Sequence, residues 1–149
     1  MMTNPALEAA RKRRQALYEA MADVEISAQR PAKTNAWIDD LSSALESLGE
    51  AFHAHVVATE SPDGIIAQIV TDAARLANEA ERLRSEHPAL EGLVSKLAAK
   101  VKGAGVPDME GVTEIREEIL EILGELVLHR SAGSDFVWDA YALDIGGYG

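Results

Sequence analysis

Residues 53–87 read HAHVVATESPDGIIAQIVTDAARLANEAERLRSEH. Helical spacing runs up to this stretch and through it. Leu41, Leu45, Leu48 and Phe52 lead into His55 in steps of four and three, the spacing that keeps one face of a helix on a partner. Ile66, Ile69, Ala73, Leu76, Ala80 and Leu83 lead into His87 in the same way, and Val112, Ile115, Ile119, Ile122 and Leu126 lead into His129. Three histidines therefore stand where the pattern calls for Leu or Ile. His53 is out of phase and is expected to face water. A single inward histidine is ordinarily a core residue with one ring nitrogen hydrogen-bonded. Three in register on three helices point also to a ligand set, because neutral imidazole binds Zn and Fe.

The position of the turn decides whether the rings meet. Ser61-Pro62-Asp63-Gly64 is the strongest breaker, since Pro fixes φ and lacks a donor and Gly accepts φ > 0. A hairpin there would leave His55 and His87 separated by on the order of 25 Å along the helices, at about 1.5 Å per residue. A reversal near Thr71-Asp72 would place them opposite each other, because 71 is midway between 55 and 87. Breaker strength favours the first turn.

Outward from this stretch, the chain reads as long helices. Residues 4–29 form a helix with Asn4 as N-cap and Pro5 at its first position, buried along Leu7, Ala10, Leu17, Met21, Val24 and Ala28. The basic run Arg11 to Arg14 reads as a solvated face bridging to acidic neighbours, the alternative being a contact to phosphate or an acidic peptide. Arg30-Pro31 ends that helix, and a second runs from Thr34 or Asn35 to Thr59. The next is expected as one long helix from 65 to 102, kinked at Pro88, because the stripe continues in phase through Leu90, Val94, Leu97 and Val101. Asp108 caps the last helix, which runs at least to Arg130 and weakens at Ser131-Ala132-Gly133-Ser134. Four long helices with short connections predict an all-α, antiparallel up-down four-helix bundle. The expected division is a bundle domain at 1–134 and an aromatic, Gly-rich tail at 135–149. Phe136, Trp138, Tyr141 and Tyr148 crowd this tail of a chain with only seven aromatics. They either close the open end of the bundle or dock a partner protein or a sister subunit.

Composition narrows the function. A formal charge of −11 argues against nucleic acid or an anionic membrane as the main partner. The absence of cysteine removes disulfides, thiolate metal sites and Cys nucleophiles, and it fits a cytoplasmic location. No apolar run reaches the length of a membrane span, and the N-terminus has no signal-peptide core. GxGxxG, P-loop, GxSxG and HExxH motifs are absent, so a protein without enzymatic activity is expected. The ExxH ligand motif of carboxylate-bridged di-iron bundles is absent as well, because Arg84, Leu126 and Phe52 stand three residues before the three histidines.

Three segments carry a resemblance: LGEAFHAHVVATESPDG at 48–64, LRSEHPALEGLVSKL at 83–97 and LGELVLHRSAGSDF at 123–136. They resemble the hemerythrin-like, HHE-type cation-binding bundles, over about residues 45 to 136. The resemblance implies an up-down bundle holding non-haem iron on His and carboxylate ligands. It makes His55, Glu60, His87 and His129 ligand candidates, with Asp135 a more distant one. Two functional expectations follow. The first is a bundle in which His55, His87 and His129, with Glu60 or Glu86, hold Fe or Zn. The second is a scaffold that binds no metal and docks a protein partner, or a second copy of itself, through its aromatic tail.

Overall fold

A computed structural model describes residues 4–105 and 107–146. Among the described residues every regular element is helical: α1 (Pro5–Gln29), α2 (Asn35–Glu60), α3 (Ile65–Asp72), α4 (Ala77–Gly103) and α5 (Met109–Gly146), with one 3₁₀ turn at Ala74–Leu76. The four long helices are α1, α2, α4 and α5. Helix α1 packs on α2, α2 on α4, α4 on α5, and α5 on α1.

Local chemistry sets the helix ends. Asn4 accepts a hydrogen bond from the Leu7 N–H at 3.1 Å, Thr34 from Ala36 at 3.3 Å, and Asp108 from Gly111 at 2.8 Å. Each supplies an acceptor to an N–H left without a partner in the first turn. The far end of α1 is closed from another helix. The Arg116 guanidinium of α5 donates to the carbonyls of Ala28 and Arg30 at 2.8 and 2.9 Å and lies over the Trp37 ring.

The expected single helix over 65–102 is two helices. The chain breaks at Ala73, where φ is −138° and ψ 74°, and passes through the 3₁₀ turn before α4 begins. The reversal between α2 and α4 is thus not a tight hairpin at Pro62. It is spread across the short helix α3, whose Ile65, Ile66 and Ile69 are buried. Burial of these three side chains holds α3 against α1, α2, α4 and α5, which breaker strength alone does not register. Gly64 has an ordinary φ of −81°, so it is not there for left-handed backbone. A Cβ at Gly64 would lie 2.6 Å from the Ala58 carbonyl oxygen and 2.8 Å from that of Thr59. Close approach of α3 to the end of α2 is what requires glycine.

Pro88 lies inside α4 without ending it. It faces solvent, where the Arg84 carbonyl, left without its helical donor, can be hydrated. Helix α5 runs unbroken through residues 131–134 and across the boundary at 134/135.

The buried side chains form two apolar clusters. One holds Leu17, Leu41, Leu48, Phe52, Leu90 and Leu126 among others. The second holds Ile65, Ile66, Ile69, Leu83, Phe136 and Ala140. Along α4 the switch from one to the other falls between Leu90 and Leu83, with His87 between them. Along α5 it falls between Leu126 and Phe136, with His129 between them. A layer of imidazoles separates the two halves of the core.

Candidate metal centre

The histidine layer is built from three helices. His55 comes from α2, His87 from α4 and His129 from α5, each continuing the apolar seam of its helix by one step. The ring centroids of His55 and His87 are 5.4 Å apart, those of His55 and His129 5.6 Å, and those of His87 and His129 4.9 Å. The reversal through α3 places His55 and His87 opposite each other, as the turn near Thr71 required and the favoured turn at Pro62 did not allow. Phe52, one turn before His55, forms a floor under all three rings, at 5.7, 5.9 and 5.8 Å from His55, His87 and His129.

Carboxylates orient two of the rings from behind. His87 Nδ1 donates to Glu60 Oε2 at 2.5 Å, and His129 Nδ1 donates to Glu86 Oε1 at 2.6 Å. An imidazole that donates from Nδ1 to a carboxylate keeps Nε2 as its basic nitrogen and has a fixed ring orientation, the arrangement found behind metal-bound histidines. His87 and His129 are 2% and 4% exposed. His55 differs: its Nδ1 is buried and has no hydrogen-bond partner. Its backbone carbonyl is engaged by Thr59 Oγ1 at 2.8 Å, but the ring is held only by packing.

Burial favours the neutral form of two of the three rings. Burial lowers the His55 pKa to about 3, helped by the charge that His87, His129 and Arg14 would place beside it. Burial also lowers the pKa of His129, against the hydrogen bond to Glu86, which favours the charged ring. Neutral imidazole is the form that binds a metal ion.

The three rings each offer a ligand atom, and these atoms lie within 4.8 Å of one another. Tetrahedral coordination with nitrogens at about 2.0–2.1 Å sets the donors about 3.3 Å apart, so closing by up to about 1.5 Å is sufficient. Above the rings, on the side away from Phe52, is a cavity of about 50 Å³. Its apolar walls include Ile65, Ile66, Leu83 and Phe136. The residues present thus fit an ion with three nitrogen ligands and one open position.

The other sequence candidates fall elsewhere. Glu60 is behind His87 rather than beside it on the cavity side, and Glu86 stands in the same relation to His129. Asp135 is exposed and outside the cluster. His53 faces solvent as expected and contacts Glu91 at 3.4 Å. Phe136 is buried over the cavity, and the Tyr141 hydroxyl accepts a hydrogen bond from Gln68 of α3 at 2.6 Å. Trp138 is 70% exposed, and Tyr148 lies outside the described residues.

Two arginines also belong to the site, and a seam reading recovers the first of them. Arg14 lines the cavity. It completes the α1 stripe Ala10, Arg14, Leu17, Met21 in steps of four, three and four, whereas Arg11, Lys12 and Arg13 are exposed. Arg130, next to His129, lines the same cavity. No family model, curated protein or solved structure matches this chain. Its class is therefore defined by the architecture and the site: a helical protein with a three-histidine layer in its core.

Proposed function

We propose that the protein is a metal-binding bundle, up-down in arrangement and hemerythrin-like in placing histidines in its core. In this reading His55, His87 and His129 hold one divalent transition-metal ion. The observation that carries it is the convergence of three imidazoles from three helices, two backed by carboxylates, with the buried His55 nitrogen left without a partner. A polar layer of this kind is costly in a core unless something satisfies it. Three imidazole nitrogens with both nearby carboxylates engaged behind the rings match a mononuclear, zinc-type donor set better than a bridged iron pair. When bound, such an ion supplies Lewis acidity at the open position. The chain's own contribution is to disfavour protonation of His55 and His129, to aim the rings, and to line the open position with apolar side chains.

Metal analysis of protein purified without chelator tests this. About one equivalent of zinc, iron or another divalent ion is expected, and its loss in His87→Ala and His129→Ala. Protein that takes up no such ion, even after incubation with zinc or ferrous salt, refutes it.

A second reading rests on Trp138. This indole is exposed while its neighbours Phe136 and Tyr141 pack inward, and among the described tail aromatics this exposure supports a docking role toward a partner protein or a second copy. Trp138→Ser would then dissociate an assembly seen by light scattering, and an unchanged mass would dismiss it.

A further inference from the structure

The cavity over the histidines has an unexpected charge. The chain carries 25 acidic and 14 basic residues, yet among the described residues that line this cavity the only formally charged side chains are Arg14 and Arg130. Neither is in an ion pair among the described residues. Arg14 donates to Ser134 Oγ at 3.1 Å, and the Arg130 guanidinium lies 4.8 Å over the Tyr18 ring. Both contacts steady a guanidinium and leave its charge uncompensated.

A cavity meant only to shield a cationic ion would not place two further cations at its wall. The carboxylates of Glu60 and Glu86, behind two of the rings, offset the charge of a divalent ion, and the two guanidiniums then leave the site net positive beside apolar walls. We infer that the cavity takes a small monoanion of two to four non-hydrogen atoms, a short carboxylate or pseudohalide, which occupies the open metal position and pairs with Arg14 and Arg130. One water needs about 10–15 Å³ of such volume, so about 50 Å³ has room for formate or azide against the three rings. The planar fork of arginine matches a carboxylate, and its charge is permanent. This inference rests on the metal reading above, and the test separates the two.

Cobalt(II) reports both events in one sample. Wild-type protein loaded with cobalt(II) should show ligand-field bands of a nitrogen-rich, low-coordinate ion. Titration with azide, and separately with formate, should shift those bands to saturation. Arg14→Gln with Arg130→Gln should keep the cobalt bands and helical content, while the apparent anion affinity falls by tenfold or more. Arg14→Lys with Arg130→Lys keeps the charge and should restore most of it. If cobalt binds in wild type and the Gln variants but anion affinity is equal in both, the inference fails and the metal reading stands. If wild type binds cobalt but neither anion alters its spectrum, the inference also fails. If wild type takes up no cobalt, the metal reading fails and the inference goes with it. Should the Gln pair unfold, each single Gln variant gives the same comparison, with a smaller loss expected.

Discussion

Glu60 ends α2 and reaches across to His87 on α4, 27 positions further along the chain, with its Oε2 2.5 Å from the imidazole Nδ1. The contact fixes which nitrogen of His87 faces the cavity. Glu86 does the same for His129 from the residue preceding His87. The α4 dipeptide Glu86-His87 thus serves two different rings, one by orienting it and one by being it. Glu60→Gln and Glu86→Gln should each weaken zinc binding by about 10–100-fold in a competition titration, because loss of such an orienting carboxylate has that effect elsewhere. Unchanged affinity in both variants would mean that the carboxylates only satisfy buried rings.

His55 separates function from stability. Its Nδ1 is buried and unpaired, and a buried polar group without a partner costs about 1–3 kcal/mol. His55→Leu restores the seam residue that the α2 stripe calls for. In chelator, this variant should be more stable than wild type in urea unfolding by about 1–2 kcal/mol. With zinc present the order should reverse, since only wild type gains binding energy. Equal stability in chelator would show that the unpaired nitrogen is satisfied by solvent.

The depressed pKa of His55 gives the metal-free protein a directional pH dependence. The unfolded ring titrates near 6.5 and the folded ring near 3. Between those values the unfolded state binds the extra proton, so this contribution is present above pH 6.5 and is lost as the pH falls toward 3. From pH 7 to pH 5 His55 alone should remove about 2 kcal/mol of stability. His129, shifted in the same direction, adds to the loss. Urea midpoints measured at both pH values in chelator check this, and His55→Leu should show a shallower fall.

Gly64 controls the register of the reversal. A methyl at this position would meet two α2 carbonyl oxygens inside 3 Å. Neither oxygen belongs to a flexible side chain, so α3 has to move. Gly64→Ala should destabilise the fold by about 1–3 kcal/mol, the usual cost of overpacking. It should also lower metal affinity, because α3 sets the height of α2 against α4 and so the meeting of His55 with His87. Loss of stability with full metal affinity would show that the ring layer is held by α4 and α5 alone.

Much of the architecture is legible in the periodicity. The stripes ending in His55, His87 and His129 are buried almost throughout, because a helix of fixed pitch carries its seam residues to one side whatever its neighbours do. Asn4, Thr34 and Asp108 act as caps for an equally local reason, since a side-chain oxygen reaches an N–H two or three residues away. The inward position of each histidine was thus settled by the order of residues on its own helix. Their meeting was not. It depends on how far α2 slides against α4, and that follows from the burial of Ile65, Ile66 and Ile69 in a connector which reads locally as breaker plus helix. The partners of the rings were equally hidden, because Glu60 and Glu86 act across helices. Arg14 is masked in the sequence by the three basic residues before it, though its phase on α1 matches that of Leu17. Helix pitch is a property of the chain. The height at which one helix stands against another comes from packing between distant residues, and tertiary structure alone decides it.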